Sequence, residues 1–176
     1  MFAHLSEVPD FADKLHLYVA LAPIASVTYM SSKALSIVGN TPLAQIMQFL
    51  HMYDFLPWMD IPTLEYDFCY YFSSLCADAV HSLDGDISVD NLDRFPVIVA
   101  HEPGGTSVRN MELWEQGIHH NSSAFCKFDY GELTNMRVYH NITAPCYDLS
   151  AIKAPVAWWV GNEDALADPR DVEWLR

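Results

Sequence analysis

Basic residues are scarce in this sequence, which has nine lysines and arginines against 23 aspartates and glutamates. The formal net charge of −14 at pH 7 argues against binding to nucleic acid or to an anionic membrane surface, because both repel a strongly acidic chain. An acidic composition is typical of a protein that works at low pH, and it is equally typical of simple solubility. Charge alone therefore leaves the working pH open.

Long apolar segments are also missing. Although 51% of the residues are hydrophobic, no run reaches the roughly 18 uncharged residues that a membrane-spanning helix needs, so no transmembrane segment is expected. The first 15 residues have no basic region ahead of an apolar stretch and therefore do not form a signal peptide. Two N-glycosylation sequons, at Asn121 and Asn141, nevertheless indicate a secreted or lysosomal protein whose signal peptide would lie upstream of this sequence.

Two short apolar runs, residues 15–22 and 154–160, lie near the two ends of the chain. Neither alternates with polar residues, which is typical of strands buried on both faces of a parallel sheet. A parallel crossover needs only about a dozen residues, and far more than that separate the two runs. The spacing therefore predicts a small domain inserted into an α/β sheet.

Helix signals flank both predicted strands. Pro9 ends a helix over residues 2–8, and the pair Asp168-Pro169 provides an N-cap and a first helical residue after the second strand. We therefore divide the chain into an α/β core formed by residues 1–24 and 151–176 and a mostly helical insert formed by residues 25–150.

Within the insert, apolar residues recur at helical spacing over residues 42–56, which predicts a helix there. Residues 65–80 form a second apolar segment, and residues 107–119 form a third that opens on a turn and a cap. The polar stretch 83–95 and the stretch 131–150 have no such pattern and are predicted to be irregular.

The acidic residue Asp164 follows the second predicted strand and precedes a helix. Catalytic groups in open α/β sheets gather at the carboxyl ends of the strands. A carboxylate there can accept the Nδ1 proton of a histidine and stabilise the imidazolium. Acidic residues are also common in such loops for purely structural reasons, so position alone favours the structural role.

Three segments together resemble the acid lipase family, which includes gastric and lysosomal acid lipases. Residues 18–25, YVALAPIA, resemble the strand that precedes the lid of that family. Residues 101–111, HEPGGTSVRNM, are similar to a motif inside the lid, with Gly105 where alanine is more usual. Residues 161–169, GNEDALADP, are similar to the loop that carries the triad acid. The order and spacing match over nearly the whole chain.

The resemblance implies a truncated α/β-hydrolase core, with two parallel strands and flanking helices, that carries a helical cap or lid. It also implies a lipase, a carboxylic ester hydrolase that cleaves acylglycerols or sterol esters through Ser-Asp-His acyl-enzyme chemistry and needs no metal or other cofactor. In that scheme Asp164 is the triad acid. The expected partner is a lipid ester substrate or a lipid interface.

Two catalytic groups of this scheme are missing from the 176 residues. The sequence contains no Gly-x-Ser-x-Gly elbow, and no histidine follows Asp164. Ser107 and His101 are poor substitutes, because Ser107 is placed to cap a helix. We therefore expect an internal fragment that is inactive alone. The alternative is a genuine short protein that binds lipid or another partner without catalysis.

The predicted lid helix has apolar side chains beyond its main stripe. A helix that is apolar nearly all round is either buried on several sides or in contact with an apolar ligand. Methionine suits an adaptable apolar surface. Both interpretations stay open, and the lipid-contact one assigns four residues to the substrate side of the lid: Met47, Met52, Phe55 and Trp58.

Four cysteines permit two disulfides without requiring any. Cys69 and Cys76 resemble the pair that forms a lid disulfide in the family, although their spacing is shorter here. On one continuous helix they would lie about 10.5 Å apart, whereas a disulfide needs Cα atoms within about 7 Å. Either the helix is interrupted between them or the bond does not form.

Overall fold

The computed structural model describes residues 1–55, 62–85, 91–101, 104–119 and 123–176. Short 3-10 turns occur at Pro9–Lys14, Leu92–Arg94 and Leu149–Ala151. Helices and strands follow the described chain in this order: α1 (Phe2–Glu7), β1 (Tyr18–Leu21), α2 (Lys33–Gly39), α3 (Leu43–Phe49), β2 (Asp54–Phe55), α4 (Pro62–Tyr71), α5 (Ser73–Asp84), α6 (Phe95–Val99), β3 (Thr106–Ser107), α7 (Val108–His119), α8 (Glu132–Tyr139), β4 (Val156–Trp159) and α9 (Pro169–Leu175).

The chain divides into two compact units. The first contains Met1–Met30 and Gln116–Arg176, and the second contains Ser31–Glu115. The second unit is shorter at both ends than the predicted insert of residues 25–150. The extent of a functional lid therefore stays a prediction.

The first unit is built on a parallel pair of strands, as the sequence predicted. The strands are not buried on both faces as expected, because Val19, Leu21 and Trp159 are exposed. β1 pairs with β4 in a register that runs from Tyr18 opposite Val156 to Leu21 opposite Trp159. Helix α1 covers the pair, with the Phe2 ring stacked on Trp158 at 5.5 Å between centroids. The hydrophobic core around these rings is formed by Phe2, Ala20 and Leu175, with Tyr18, Phe125 and Trp158 packed against it.

Both helix boundaries predicted for this unit are confirmed. α1 ends at Glu7 just before Pro9, which begins a 3-10 turn. α9 begins at Pro169, and the Asp168 side chain accepts a hydrogen bond from the Arg170 amide, which is the predicted N-cap.

The stretch 131–150 contains a helix, α8, where the sequence predicted irregular structure. The side chain that α8 buries completely is a polar one, Asn135, while Leu133 is 83% exposed. Asn135 accepts from the Tyr130 amide and donates to the Asp129 carboxylate and the Ile142 carbonyl. Hydrophobic periodicity could not reveal this helix, because an amide rather than an apolar side chain fixes it.

Helices α4, α5 and α6 pack together in the second unit around a small core of Cys69, Cys76, Ala77 and Phe95. The predicted apolar segment 65–80 is two helices, since α4 ends at Tyr71 and α5 starts at Ser73. Phe72 between them has φ −124° and ψ 49°, which is not helical.

The helix predicted over residues 42–56 is shorter in the structure, because α3 ends at Phe49. His51 adopts the left-handed conformation with φ 58°. The amide of His51 donates to the Gln48 carbonyl and the amide of Met52 donates to the Met47 carbonyl. This pair of bonds is a Schellman motif, which ends a helix and usually has glycine where His51 stands. The chain then turns into β2, which pairs antiparallel with β3.

The contribution of the Asp168 side chain to the stability of the fold can be tested by mutation. Hydrogen bonding from the Arg170 side chain lowers the pKa of the Asp168 carboxyl in the folded protein. Its charge therefore stabilises the fold above the unfolded-state pKa of about 3.9, and that contribution is lost as the pH falls through the lower folded-state value. We expect Asp168→Ala to cost about 1 kcal/mol at neutral pH through the lost cap.

Asp168→Asn separates the charge from the cap, because asparagine is an equally good N-cap. Thermal unfolding followed by circular dichroism should show a difference between the parent chain and Asp168→Asn at pH 7 that shrinks below about pH 4. An equal difference at both pH values would show that the ion pair with Arg170 is not its source.

Candidate active site

The loop after β4 presents the carboxylate of Asp164 at the carboxyl end of the parallel strand pair. β4 ends at Trp159 and α9 starts at Pro169, so Asp164 lies in the connection between them. Its Oδ1 accepts hydrogen bonds from the amides of Leu166 at 2.9 Å and Ala167 at 2.8 Å. Ala167 is buried, so the loop is packed against the first unit. The backbone therefore fixes the orientation of this carboxylate.

The second oxygen of Asp164 is open. No donor from the described residues reaches Oδ2, and in the described part of the chain Asp164 forms no ion pair. Arg170 pairs with Asp168, and Arg176 lies 3.5 Å from Glu173. A half-buried carboxylate with one oxygen held and the other open can accept a hydrogen bond from an incoming donor.

The two neighbouring acidic residues have other environments. Glu163 is exposed to solvent. Asp168 is buried, and both of its oxygens bind the Arg170 guanidinium at 2.9 Å in addition to the helix cap. Of the three, Asp164 alone combines a fixed orientation with a free acceptor oxygen in the described structure.

The end of β1 shows a second local constraint at the same edge of the sheet. Ala22 has φ 46°, a conformation that is uncommon for a residue with a side chain. Its amide donates to the Trp159 carbonyl at 2.6 Å, which continues the strand pairing by one residue. The carboxyl ends of β1 and β4 are therefore adjacent, and the loop that carries Asp164 starts from this end of the sheet.

Ser107 and His101 are engaged with local backbone in the second unit. The Ser107 hydroxyl accepts from the Asn110 amide at 3.1 Å, which is the helix-capping role expected for it. The Nδ1–H of His101 donates to the Val97 carbonyl at 2.8 Å. These bonds give each side chain a structural task.

The apolar residues assigned to the lid are partly exposed. Met52 is exposed, whereas Met47 and Phe55 are half-buried. Phe55 lines a small apolar cavity with Leu43, Val108 and Met111. Trp58 lies outside the described residues. Other large apolar side chains of the second unit are also exposed: Ile37, Ile46, Phe49 at 84%, Leu50, Tyr70, Tyr71 and Phe72.

A disulfide joins Cys69 to Cys76, with Cα atoms 5.5 Å apart. The break between α4 and α5 at Phe72 removes the helical geometry that would have kept them apart. A second disulfide, Cys126–Cys146, ties two segments of the first unit that also form an isolated antiparallel bridge. Sequence analysis assigned no partner to these two cysteines, although they are the two that remain once Cys69 and Cys76 are joined.

Of the two sequons, Asn141 lies within the described structure and Asn121 does not. Asn141 is exposed, and its Oδ1 accepts from both the amide and the hydroxyl of Thr143. The sequon is therefore folded as a local turn at the surface.

The described ranges contain no group of three or more histidine, cysteine, aspartate or glutamate residues arranged to hold a metal ion. No helix in these ranges combines the length and apolar character required to cross a membrane.

The sequence aligns with known lipases over nearly its whole length. It is 35% identical to bovine gastric triacylglycerol lipase over 184 aligned residues, which cover 99% of this chain and 44% of that protein. Identity to human lipase member K and to human gastric triacylglycerol lipase is 31%, with the same two coverages. The chain thus spans about 44% of the length of these relatives. It matches no protein-family model.

These relatives imply the α/β-hydrolase fold, with which the parallel pair β1 and β4 is consistent. The alignment extends over both ends of the chain and the residues between them. The three quoted motifs therefore lie within one continuous homologous segment. By sequence, the chain is a segment of the acid lipase family.

Proposed function

We propose that these residues provide the acid and much of the lid of a serine hydrolase that cleaves lipid esters, acylglycerols or sterol esters. The observation that carries the proposal is the Asp164 carboxylate, with Oδ1 held by two loop amides and Oδ2 open at the carboxyl end of the sheet. The names of the relatives, gastric triacylglycerol lipase among them, support a lipid ester as the substrate.

In the proposed reaction the Nδ1–H of a histidine donates a hydrogen bond to Oδ2 of Asp164, and the proton stays on the imidazole. That hydrogen bond fixes the imidazole tautomer, so Nε2 can take the proton of the nucleophilic serine. The serine oxygen attacks the ester carbonyl, the alcohol leaves with a proton from the imidazolium, and water later hydrolyses the acyl-enzyme. The described loop can hold Asp164 still throughout, because the Leu166 and Ala167 amides bind the oxygen that the histidine does not use.

The serine, the histidine and the oxyanion amides must come from residues other than these 176. No Gly-x-Ser-x-Gly occurs in the sequence, and no histidine follows Asp164. Both oxyanion donors in this fold lie in the elbow and in an earlier loop. The proposed chemistry needs no metal or other cofactor.

The lid is proposed to lie in the second unit, Ser31–Glu115, and to meet lipid with its exposed apolar side chains. α3 buries Ala44 and leaves Ile46 and Phe49 exposed, so one helix presents apolar groups on both sides. Exposed apolar groups mark an interaction surface where they form one contiguous patch, and we propose that these do. Met52, which follows α3 in the sequence, is also exposed, whereas Met47 and Phe55 are half-buried.

A second candidate function is lipid binding without catalysis. The exposed apolar side chains of the second unit favour it, because they would bind a lipid surface with or without a triad. Esterase activity of a longer polypeptide that supplies the serine and the histidine separates the two functions, whereas lipid binding is common to both.

We further propose that the protein is secreted or lysosomal and carries a glycan at Asn141. Two disulfides are typical of an oxidising compartment. The sequon at Asn141 is exposed and is folded as a turn, so an enzyme could reach it. The gastric lipases among the relatives support the same localisation.

A polypeptide of these 176 residues alone should have no esterase activity. The attacking hydroxyl, the proton-transfer base and the oxyanion donors are all supplied by other residues in the proposed scheme. The measurement is hydrolysis of a short-chain chromogenic ester, with heat-treated protein as the control. Turnover above that control that a serine-directed inhibitor abolishes would contradict the proposal.

In a longer polypeptide that supplies the serine and the histidine, Asp164→Asn should lower kcat by up to about 10⁴-fold while the protein stays folded. The amide can accept at one oxygen but cannot hold the catalytic tautomer. Glu163→Gln is the matched control, because it makes the same chemical change one residue away on an exposed side chain. A loss of activity in Glu163→Gln with Asp164→Asn within a few-fold of the parent would reverse the assignment.

Lipid contact by the second unit can be tested with neutral phosphatidylcholine vesicles, which avoid repulsion of the acidic chain. Phe49→Gln should weaken vesicle binding about tenfold, since burial of a phenylalanine side chain contributes about 1.5–3 kcal/mol. Leu133→Gln is the matched control, because Leu133 is an equally exposed apolar helix residue of the first unit. Equal effects of the two variants in a vesicle co-sedimentation assay would remove the support for a lid surface.

A further inference from the structure

A buried carboxylate that the triad does not use lies in α9. Asp171 is 3% exposed, and two donors from the segment after β1 occupy its two oxygens. The Ser26 hydroxyl donates to Oδ1 at 2.7 Å, and the Tyr29 amide donates to Oδ2 at 2.8 Å. Ser26 is buried as well. Two segments that are 145 residues apart in the sequence are therefore joined inside the first unit.

The residue before Asp171, Arg170, also contacts this segment. The Arg170 guanidinium lies 4.4 Å from the centroid of the Tyr29 ring and binds both oxygens of Asp168. Tyr29 is thus held by its backbone through Asp171 and by its ring through Arg170. Residues 26–29 are also the last part of the first unit before the chain enters the second at Ser31.

Neighbouring hydroxyl groups add further hydrogen bonds around Ser26. Ser26 shares a hydrogen bond with the Thr28 hydroxyl at 2.9 Å, and the Ser123 hydroxyl donates to Thr28 at 3.3 Å. A buried carboxylate is costly unless donors satisfy it, and the loss of its partners leaves that cost uncompensated. α9 and residues 26–29 are therefore held at a fixed separation.

The hydrogen bonds between Asp171 and residues 26–29 also constrain the loop that carries Asp164. The loop starts at the end of β4, which is fixed by pairing with β1. It ends at α9, which is fixed by Asp171 to the segment that follows β1. Both ends of the loop are therefore tied to β1 or to its continuation, and the hydrogen bonds that the Leu166 and Ala167 amides donate to Oδ1 of Asp164 lie between them.

We propose that Asp171 is a positioning residue for the catalytic acid, acting with Ser26 to hold the start of α9 and hence the Asp164 loop in its working geometry. The inference rests on the proposed role of Asp164 and adds a residue that acts through the loop and not on the reacting atoms. Hydrogen bonding performs this task, so an asparagine should perform it too. Its amide can donate to the Ser26 hydroxyl while its carbonyl accepts from the Tyr29 amide.

The test is residue-resolved amide hydrogen exchange of the full 176-residue chain by NMR. The amides of Leu166 and Ala167 report the loop directly, because both donate to Asp164. Asp164→Ala gives the reference for their unprotected state. Asp171→Ala removes both acceptors, Asp171→Asn keeps the hydrogen bonds, and Glu173→Gln is an exposed control on the same helix.

In Asp171→Ala, exchange at Leu166 and Ala167 should quicken about tenfold or more relative to the amides of β4, since hydrogen bonds to a buried charge contribute that much. Asp171→Asn and Glu173→Gln should stay within about threefold of the parent. A uniform change at the loop and at β4 would show that Asp171 acts on global stability alone and would overturn the proposal. So would a failure of Asp171→Asn to restore protection.

If Asp171→Ala does not fold, Ser26→Ala takes its place, because it removes one of the two hydrogen bonds and leaves the Tyr29 amide bound. Exchange at Leu166 and Ala167 should again quicken more than at β4, and an unchanged ratio would overturn the proposal. No step of this experiment measures catalysis. A failed rate test on Asp164→Asn would therefore remove the catalytic role that Asp171 is proposed to support but leave the measured ordering of the loop intact, and a failed exchange test would leave the Asp164 assignment intact.

Discussion

The parallel pairing of β1 with β4 is the contact on which the rest of the first unit depends. It joins two four-residue strands from opposite ends of the chain, and their hydrogen bonds continue through the Ala22 amide to Trp159. The Phe2 ring stacked on Trp158 covers the pair. With the two carboxyl ends adjacent, the loop after β4 and the segment after β1 leave the sheet at one edge. This arrangement places the loop that carries Asp164 close to the segment after β1 that Asp171 binds.

Much of this unit could be predicted because its signals are local. Apolar runs without alternation identified both strands, and Asp168 followed by Pro169 identified the start of α9. The different environments of three acidic residues also follow from local chemistry. Asp168 precedes a proline and caps the helix, Glu163 is exposed, and Asp164 bonds to its own loop with one oxygen left open.

Other features could not be predicted, because their causes are distant in sequence or unusual in residue type. α3 ends at a left-handed histidine, His51, where the usual signal is glycine or asparagine. α8 is fixed by a buried amide, Asn135, and has no apolar stripe. The Cys126–Cys146 pairing and the bond from Ser26 to Asp171 join residues that only the folded chain brings together.

We propose that Asp164 is the acid partner of a catalytic histidine supplied by residues outside this sequence. A crystal structure of a longer polypeptide trapped with a serine-directed phosphonate tests it most directly. We expect the histidine Nδ1 to lie about 2.7–2.9 Å from Oδ2 of Asp164, with the Leu166 and Ala167 amides still donating to Oδ1. A histidine paired with Glu163, or with any other carboxylate while Asp164 faces only its own loop, would contradict it.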